Sequence, residues 1–328
     1  MPARRPHRGV LRRVRLFAPL APLALGASAA SAPPPRQQGR QHAKPEAISL
    51  LGRPLYAQPD TAGAIAKADS ALARNPRNID TLIAAGVAHA ASWHYKDAIA
   101  LYTKGLTMAP NDARLYRHRG HRAISLRRFD DAVRDLELGW KLDSMSYDIA
   151  YHLGLAYYMK GDFRRAAAVY DRCTGYATNP AALAMDTAAR RGFKSCTTIA
   201  TNNDDKVGMA EWRYRSLLRA GRTADAARLL DEIGDSMRVR ESGAYYLDLL
   251  VSKGRRSEQA VLDSLKGNEL QWTTAAYGLA VRRLVNGDAA GARSLFEQIV
   301  RDVNYWPAFG YIGSEVELSR IRRAKGKR

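Results

Sequence analysis

Residues 147–180 read YDIAYHLGLAYYMKGDFRRAAAVYDRCTGYATNP, and the fold class can be inferred from this stretch. It predicts two helices joined at Gly161, with Gly154 on the first helix and Ala166 on the second. Two antiparallel helices approach closely only where side chains are small, so Gly154 and Ala166 are expected at the helix crossing. Tyr170 is expected to fill the space beside the crossing. The stretch therefore predicts a helix hairpin.

The same arrangement recurs every 34 residues toward the N-terminus. Two columns of the repeat hold only Gly or only Ala, a third holds mainly large side chains, and a fourth holds Pro, Ser or Thr. Invariant small-residue columns at one period indicate stacked copies of one hairpin. The columns are Gly52, Gly86, Gly120 and Gly154; Ala64, Ala98, Ala132 and Ala166; Ala68, Tyr102, Leu136 and Tyr170; and Pro76, Pro110, Ser144 and Thr178.

The spacing and the residue types resemble the tetratricopeptide repeat (TPR) family, and the chain as a whole resembles an exported bacterial member. Unit 147–180 fits the family pattern best. Units 79–112 and 113–146 depart from it, because Trp93 stands where an interhelix Gly is usual and Arg119 replaces a Leu. The resemblance implies a concave groove lined by the first helix of each hairpin, which suits an extended peptide or a helix.

The array is predicted over 45–180, with irregular ends. Only the second half of its first unit fits, because Pro54 would break a first helix, and 60–74 is expected to form a lone capping helix. Residues 181–206 are predicted to be an insertion that contains a polar loop at 202–205.

Residues 207–319 are predicted to form divergent TPR-like hairpins and a terminal helix. A weaker period of 33 residues marks the helix–helix turns at Gly221, Gly254 and Gly287. Pro307 is expected to open the terminal helix at 308–323, followed by a basic tail at 320–328. Because no sustained alternation of polar and apolar residues is present, no strands are expected. The predicted fold class is all-α: a solenoid of antiparallel helix hairpins, or TPR-like superhelix.

Residues 1–30 predict a secretory signal peptide, cleaved near Ala29–Ala30. Six arginines precede an apolar stretch of about 15 residues, shorter than the roughly 20 that a spanning helix needs. We therefore expect no transmembrane segment after cleavage and a periplasmic or secreted location. An uncleaved anchor and a disordered basic tail are the alternatives. Residues 31–44 predict a Pro-rich polar linker.

The net charge of +20 is concentrated at the two ends of the chain. Residues 1–44 hold nine Lys and Arg residues without an acid, and 320–328 hold six more, which leaves the body between them with a net charge of only +5. A body so nearly balanced does not favour a nucleic-acid partner. We predict a protein or peptide partner instead.

The resemblance also implies which residues face the groove. They are basic in one unit and aromatic in the next, which would suit an acidic or aromatic-bearing peptide. The family's carboxylate-binding clamp is absent, since Ile83 and Val87 stand where its first Lys and Asn would be. The alternative is that these are simply solvated helix positions. The predicted groove residues are Arg114, Arg117, His121, Tyr151, Leu155 and Tyr158.

Three histidines come together in the repeat register: His118 and His121 on one helix, and His152 at the equivalent of His118 in the next unit. Zinc sites need three or four ligands, usually with Cys or carboxylate among them, and nothing completes the set nearby. Phosphate-loop, zinc-protease and serine-hydrolase motifs are also missing. We therefore predict no metal, no cofactor and no catalytic activity.

Cys173 and Cys196 are candidates for a disulfide, because an even pair can bridge in an oxidising compartment. Two reduced, half-buried thiols are the alternative.

The predicted function is protein or peptide binding outside the cytoplasm. The alternative is an exported protein that binds a glycan or another small ligand through exposed aromatic rings, which stack well on sugars. The candidate rings are Trp93, Trp140, Trp212, Tyr245, Tyr246 and Trp272.

Overall fold

The computed structural model describes residues 44–185 and 194–325. The predicted signal peptide, the linker up to residue 43 and the last three residues lie outside the described residues, so the statements about them stay predictions. Within the described ranges, no helix combines the length and the apolar character that crossing a membrane would require.

The described residues form fifteen α-helices, one β-hairpin and a 3-10 helix at Cys196–Ala200. The elements are β1 Ala47–Ile48, β2 Pro54–Leu55, α1 Ala64–Arg74, α2 Ile79–Ala91, α3 Tyr95–Met108, α4 Ala113–Ser125, α5 Phe129–Leu142, α6 Tyr147–Lys160, α7 Phe163–Ala177, α8 Pro180–Met185, α9 Asn203–Arg219, α10 Thr223–Asp231, α11 Gly243–Ser252, α12 Glu258–Ser264, α13 Glu269–Val285, α14 Ala289–Asp302 and α15 Phe309–Lys325.

The predicted all-α solenoid of helix hairpins is confirmed. α2 packs against α3, α4 against α5 and α6 against α7, and each hairpin packs against the next. The first helix of each pair follows a residue whose side chain accepts a hydrogen bond from a first-turn backbone N–H, which satisfies a group that a helix start leaves unpaired. These capping residues are Asn78, Asp112 and Ser146, again one repeat apart.

Contacts of the Gly column explain the repeat period. In each of the three hairpins from α2 to α7, the Gly backbone lies against the large side chain of the third column. A Cβ atom added to Gly154 would lie 2.3 Å from Cζ of Tyr170, which is fully buried and has no room to move. The three pairs are Gly86 with Tyr102, Gly120 with Leu136 and Gly154 with Tyr170.

Gly154→Ala is expected to lower the free energy of unfolding by about 1–3 kcal/mol, because the added methyl group displaces the Tyr170 ring. Gly175→Ala is the matched control, since Gly175 is also helical and a Cβ atom there meets nothing within 4 Å. The control is expected to stabilise the protein by about 0.5–1 kcal/mol through helix propensity. Urea denaturation measures the change in the free energy of unfolding of each variant. Equal changes in the two variants would contradict the packing role of the Gly column.

The first half of unit 45–78 is a β-hairpin, which corrects the expectation that the chain has no strands. β1 and β2 pair antiparallel, and Pro54 lies in β2. Gly52 lies in the connecting turn with a φ of 86°, so it is not a helix-crossing residue like the rest of its column. Pro54 does exclude a helix, but a two-stranded edge tolerates its missing N–H. α1 forms the capping helix and packs on α2.

Two segments predicted to be a polar loop and a basic tail are helical instead. Asn202 caps α9, because its side-chain oxygen accepts hydrogen bonds from the backbone N–H groups of Asp204 and Asp205. Acidic residues in the first turn favour a helix start, so the polar run at 202–205 begins α9. α15 likewise continues through most of the predicted tail, and Arg320 pairs with Glu317 at 2.5 Å.

The C-terminal part of the insertion is fastened to the array. Cys173 of α7 and Cys196 are joined by a disulfide. The backbone N–H of Cys196 donates to the carbonyl oxygen of Met145 at 2.7 Å, and the N–H of Tyr147 donates to that of Lys194 at 2.8 Å. This end of the insertion therefore lies against α7 and the start of α6.

A buried ionic group links the helices of the divergent half. Arg215 of α9 lies 2.7 Å from the carboxylate of Glu211, one turn earlier, and 2.9 Å from that of Asp248 in α11. None of the three side chains is more than 3% exposed. α13 packs against the group at Gly278, where an added Cβ atom would lie 1.9 Å from the Asp248 carboxylate.

Candidate functional site

The turns between paired helices hold three residues of one repeat column in the left-handed conformation: Trp93, Arg127 and Gly161. Their φ angles are 64°, 62° and 89°. Glycine adopts this conformation freely, whereas other residues lose about 1–2 kcal/mol in it. Two strained residues in one column indicate that their side chains are required at these points.

The side chains of this turn column contact the end of the described chain. Trp93 packs edge-on against Trp306, in the loop before α15, with ring centroids 5.6 Å apart. The Arg127 guanidinium donates to both carboxylate oxygens of Glu315, at 2.9 and 3.1 Å. It also donates to the carbonyl oxygen of Trp306 at 3.1 Å. The roles of Arg127 and Glu315 were not predicted from the sequence.

α15 is enclosed over most of its length. Each residue from 310 to 319 is buried, and Ser314 and Glu315 have no exposed surface. Near its end, Arg320 donates to the carbonyl oxygens of Tyr158 and Met159 in α6, at 3.4 and 2.9 Å. A helix buried on all sides belongs to the core.

α15 lies on the side formed by the first helices of the hairpins. Phe309, its first residue, packs against His121 of α4 and against Tyr151 and His152 of α6, with ring centroids 5.4, 6.3 and 5.9 Å apart. This is the side that the family resemblance assigns to the peptide groove.

The part of the predicted groove formed by His121, Tyr151, Leu155 and Tyr158 is therefore covered by the chain's own helix, which corrects the prediction that these four residues are open to a peptide. Leu155 and Tyr158 are no more than 1% exposed, and His121 and Tyr151 are half-buried beneath Phe309. These residues lie on the first helices, yet a peptide cannot reach them. Covering them with α15 removes a large apolar surface from water.

The two predicted groove arginines are already paired within the array. Arg114 lies 2.6 Å from the carboxylates of both Asp80 and Asp112, and Arg117 lies 3.3 Å from that of Asp148. The hydrogen bond to Asp112 is the largest of the effects that raise the pKa of Arg114. Neighbouring acids therefore offset part of their charge, and the binding of an acidic peptide by these two arginines stays a prediction.

The three histidines do cluster, but as packing groups. The rings of His121 and His152 are 4.0 Å apart, and Nδ1 of His152 lies 2.6 Å from the carbonyl oxygen of Asp148. Burial is the main cause, and the charge of nearby arginines the second, that lowers the pKa of His121 and of His152 well below the ordinary value of histidine. The same two causes lower the pKa of His118 to about 3. Among residues 44–185 and 194–325, no group of three or more side chains is suited to hold a metal ion.

Lowering the pH from about 7.5 to about 5.5 is expected to weaken the fold through His121 and His152. These histidines stay neutral in the folded protein, whereas in the unfolded chain they take up protons below about pH 6.5. Below about pH 6.5 the free energy of unfolding therefore decreases as the pH falls, by up to about 1.4 kcal/mol per histidine per pH unit. Glu211 acts in the opposite sense, because burial raises its pKa to about 7 and the folded protein then gains a proton on acidification.

His121→Gln isolates the histidine contribution. Chemical denaturation of the wild type and the variant at the two pH values gives the loss of stability in each. The loss should be smaller in the variant, whereas Glu211 acts equally in both. Equal losses would show that the buried His121 ring is not a source of the acid sensitivity.

The six aromatic rings of the alternative function do not form an exposed row. Trp93 and Trp212 are buried, and the other four are half-buried. The indole N–H of Trp212 donates to the hydroxyls of Tyr151 and Tyr245, at 2.8 and 3.2 Å. Trp93 and Trp212 therefore belong to the core.

Residues 113–180, the α4–α5 and α6–α7 hairpins, match the tetratricopeptide repeat family model. No curated protein matches the sequence.

Three of the solved structures that resemble the chain are the following. The crystal structure of MamA is 17% identical, with 60% of this chain and 87% of MamA covered and a TM-score of 0.41. Naa15/Naa10 bound to HypK-THB is 14% identical, with 80% of this chain and 39% of the Naa15/Naa10 chain covered and a TM-score of 0.34. The TPR domain of P58(IPK) is 15% identical, with 81% of this chain and 95% of that domain covered and a TM-score of 0.20. At these scores none of them bears on function.

Proposed function

We propose that this protein is an exported, non-catalytic scaffold that binds a protein or peptide partner. The observation that carries the proposal is the stack of three helix hairpins from α2 to α7, of which the units over 113–180 match the TPR model. Stacked hairpins present long, continuous helix faces built from one repeated unit, and such faces are well suited to hold an extended segment or a helix of another protein.

The partner is proposed to bind to the surface of the array that α15 leaves uncovered. Exposed apolar side chains remain there: Leu138 and Leu142 of α5 are 39% and 44% exposed. Their spacing of four residues places them on one face of the helix. Val87 of α2, at a position that the family resemblance assigns to the groove, is 45% exposed, so α15 leaves this part of the array uncovered. These faces remain accessible while α15 stays in the core.

Site-specific photo-crosslinking in intact cells tests the scaffold proposal. A photoreactive residue at Val87 or Leu138 should give an adduct with a second polypeptide, and an excess of the unlabelled protein should suppress that adduct. The same residue at Lys67, on the exposed face of the capping helix α1, is the control position. The absence of a saturable adduct at every array position would refute the proposal.

The proposed export is supported by two independent features. Residues 1–30 have the charge and apolar pattern of a signal peptide, and both cysteines of the chain are joined in a disulfide, a bond that persists mainly in oxidising compartments. N-terminal sequencing of the protein from cell fractions tests the proposal: the mature chain should begin near residue 30 outside the cytoplasm. Soluble cytoplasmic protein that begins at Met1 or Pro2 would overturn it.

The double variant Cys173→Ser/Cys196→Ser is expected to lose about 3 kcal/mol of unfolding free energy, because the disulfide closes a loop of 23 residues in the unfolded chain. Reduction of the wild type should cause a similar loss and should not affect the variant. Denaturant unfolding with and without reductant measures both. Free thiols on both cysteines in protein isolated under alkylating conditions would contradict the bridge.

A second candidate function, glycan or small-ligand binding, is favoured by one cleft. Trp272 of α13 lines an open cleft of about 320 Å³ together with Asn268, Gln298 and Asp302. An aromatic face beside amide and carboxylate groups can stack on a sugar ring and hydrogen-bond to its hydroxyls. Calorimetric titration with neutral monosaccharides should then give binding that Trp272→Ala abolishes. No heat of binding with the wild type would remove this candidate.

A further inference from the structure

A second cleft, of about 580 Å³, opens between the α6–α7 turn and the end of α9. One wall consists of residues 160–164, and the other includes Arg219 and Ala220. The end of α15 reaches the same place, because Arg320 lies 3.0 Å from the point where a Cβ atom of Gly161 would be. We call these wall residues and Arg320 the basic cleft. Its volume is within the range of ordinary ligand sites.

Two guanidinium groups in the basic cleft share one carboxylate. Arg219 lies 2.8 Å and Arg320 lies 2.5 Å from the same oxygen of the buried Glu317. The Phe163 ring packs against both guanidiniums, with centroid distances of 4.4 and 5.4 Å. The ion pairs and the ring contact hold both groups in place, so an anion that binds them loses little additional side-chain entropy.

Lys160 and Arg164 add positive charge at the rim. Arg164 is exposed and makes no ion pair with another described residue. Lys160 contacts Asp130, whose side chain is 86% exposed, so this pair is strongly screened by water. Asp162, the acid of the wall, is engaged elsewhere, because it accepts a hydrogen bond from the N–H of Arg165 and pairs with the guanidinium of that residue. Both rim cations are therefore available to a ligand.

We infer that the basic cleft binds an acidic segment of the protein partner, an inference that rests on the scaffold function proposed above. Four cationic groups stand around one cleft, and each of the three nearby acids, Asp130, Asp162 and Glu317, is already paired. Successive carboxylates of an acidic segment can bridge the rim pair and the guanidinium pair. A cleft of this volume admits a few side chains, whereas a flat bilayer or a nucleic-acid duplex would reach only the rim.

Peptide binding to the full chain tests the inference. The probe is a fluorescein-labelled peptide of alternating Glu and Ser, and fluorescence anisotropy reports its binding. Lys160→Ala/Arg164→Ala should weaken binding at least about tenfold, since two charge-assisted contacts are lost. Added salt should weaken binding to the wild type. Arg219 and Arg320 are left unchanged because they also hold the fold.

Arg74→Ala/Arg77→Ala is the matched control, because it removes the same charge from two exposed residues at the other end of the array. This control should change the affinity by less than about twofold, and both double variants should keep the wild-type melting temperature. Equal losses in the two double variants, or equal binding of a peptide with Gln in place of Glu, would overturn the inference. Binding of phosphatidylglycerol vesicles that depends on Lys160 and Arg164, without peptide binding, would also overturn it.

The outcomes separate this inference from the scaffold proposal. If the acidic peptide does not bind while saturable adducts still form at Val87 or Leu138 in cells, the basic cleft is not the docking site and the scaffold proposal stands. If the peptide binds with the expected dependence on Lys160 and Arg164 but no adduct forms in cells, the scaffold proposal fails. In that case only the binding of acidic peptides to the basic cleft is supported.

Discussion

Arg127→Gly is expected to lower the free energy of unfolding by about 2–4 kcal/mol, even though it relieves backbone strain. The substitution leaves Glu315 fully buried without its cation, and such a loss costs about 3–5 kcal/mol. Glycine returns about 1 kcal/mol, because the φ of 62° at this position suits it better than Arg. The ion pair is expected to outweigh the strain, which is why a strained Arg stands in a turn where glycine would be easier.

Denaturant unfolding of Arg127→Gly and of Arg127→Gly/Glu315→Gln measures this balance. The second change removes the stranded negative charge, so it should restore part of the lost stability. Arg128→Ala is the neighbouring control, since the side chain of Arg128 is 54% exposed and its pair with Asp131 should contribute at most about 1 kcal/mol. An Arg127→Gly protein as stable as the wild type would show that the bond to α15 contributes nothing.

Arg215→Met is expected to cost about 3–5 kcal/mol at neutral pH. Met roughly fills the space of the aliphatic stem of Arg, but it leaves Glu211 and Asp248 buried and facing each other without a cation. Burial already raises the pKa of both carboxyl groups, to about 7 for Glu211, while the Arg215 charge opposes that rise. Without the arginine, keeping both groups ionised becomes costly.

The pH dependence identifies the cause of this loss. Without the Arg215 charge the pKa of both buried carboxyl groups rises further, so the folded variant takes up protons more readily than the wild type and the difference in stability between them should narrow on acidification. The triple variant Arg215→Met/Glu211→Gln/Asp248→Asn carries no charge at this place and should recover much of the stability at neutral pH. A loss that is equal at all pH values would mean that Arg215 acts mainly through its packing.

The hairpins of 79–180 could be predicted because close helix packing leaves the same trace in every unit. The Tyr170 ring leaves no room for a Cβ atom on Gly154, and the constraint returns one period earlier in each preceding unit. The capping column was overlooked because three residue types, Asn78, Asp112 and Ser146, perform one role there. A search for any side chain with an oxygen that can cap a helix, rather than for one residue type, would have revealed this column.

The position of α15 could not be predicted, because its contacts are not periodic. Arg127 and Glu315 belong to types that are mostly exposed, so their place in the core leaves no pattern in the sequence. The departure of Trp93 from the interhelix Gly was visible, however, and Arg127 is the same departure one period later. Two such residues in one column were the available sign that something docks along these turns.

The groove residues were inferred from the family resemblance, and the same helix explains why four of them are closed to a peptide. His121, Tyr151, Leu155 and Tyr158 do lie on the first helices, but the family pattern does not say what covers them. Arg119, which replaces a Leu of the pattern, shows how the core accommodates such departures. Its guanidinium donates to both carboxylate oxygens of Asp135, each at 2.7 Å.

The central place of α15 also determines how the chain must assemble. In a simple solenoid each unit contacts its neighbours, so contacting residues are close in sequence. Here the bond from the Trp306 indole to the carbonyl oxygen of Tyr56 spans 250 residues, and the bond between Arg127 and Glu315 spans 188. Such long separations raise the contact order and slow folding. Until α15 is in place the inner side of the hairpins lacks its cover, so the array is expected to close as one cooperative unit.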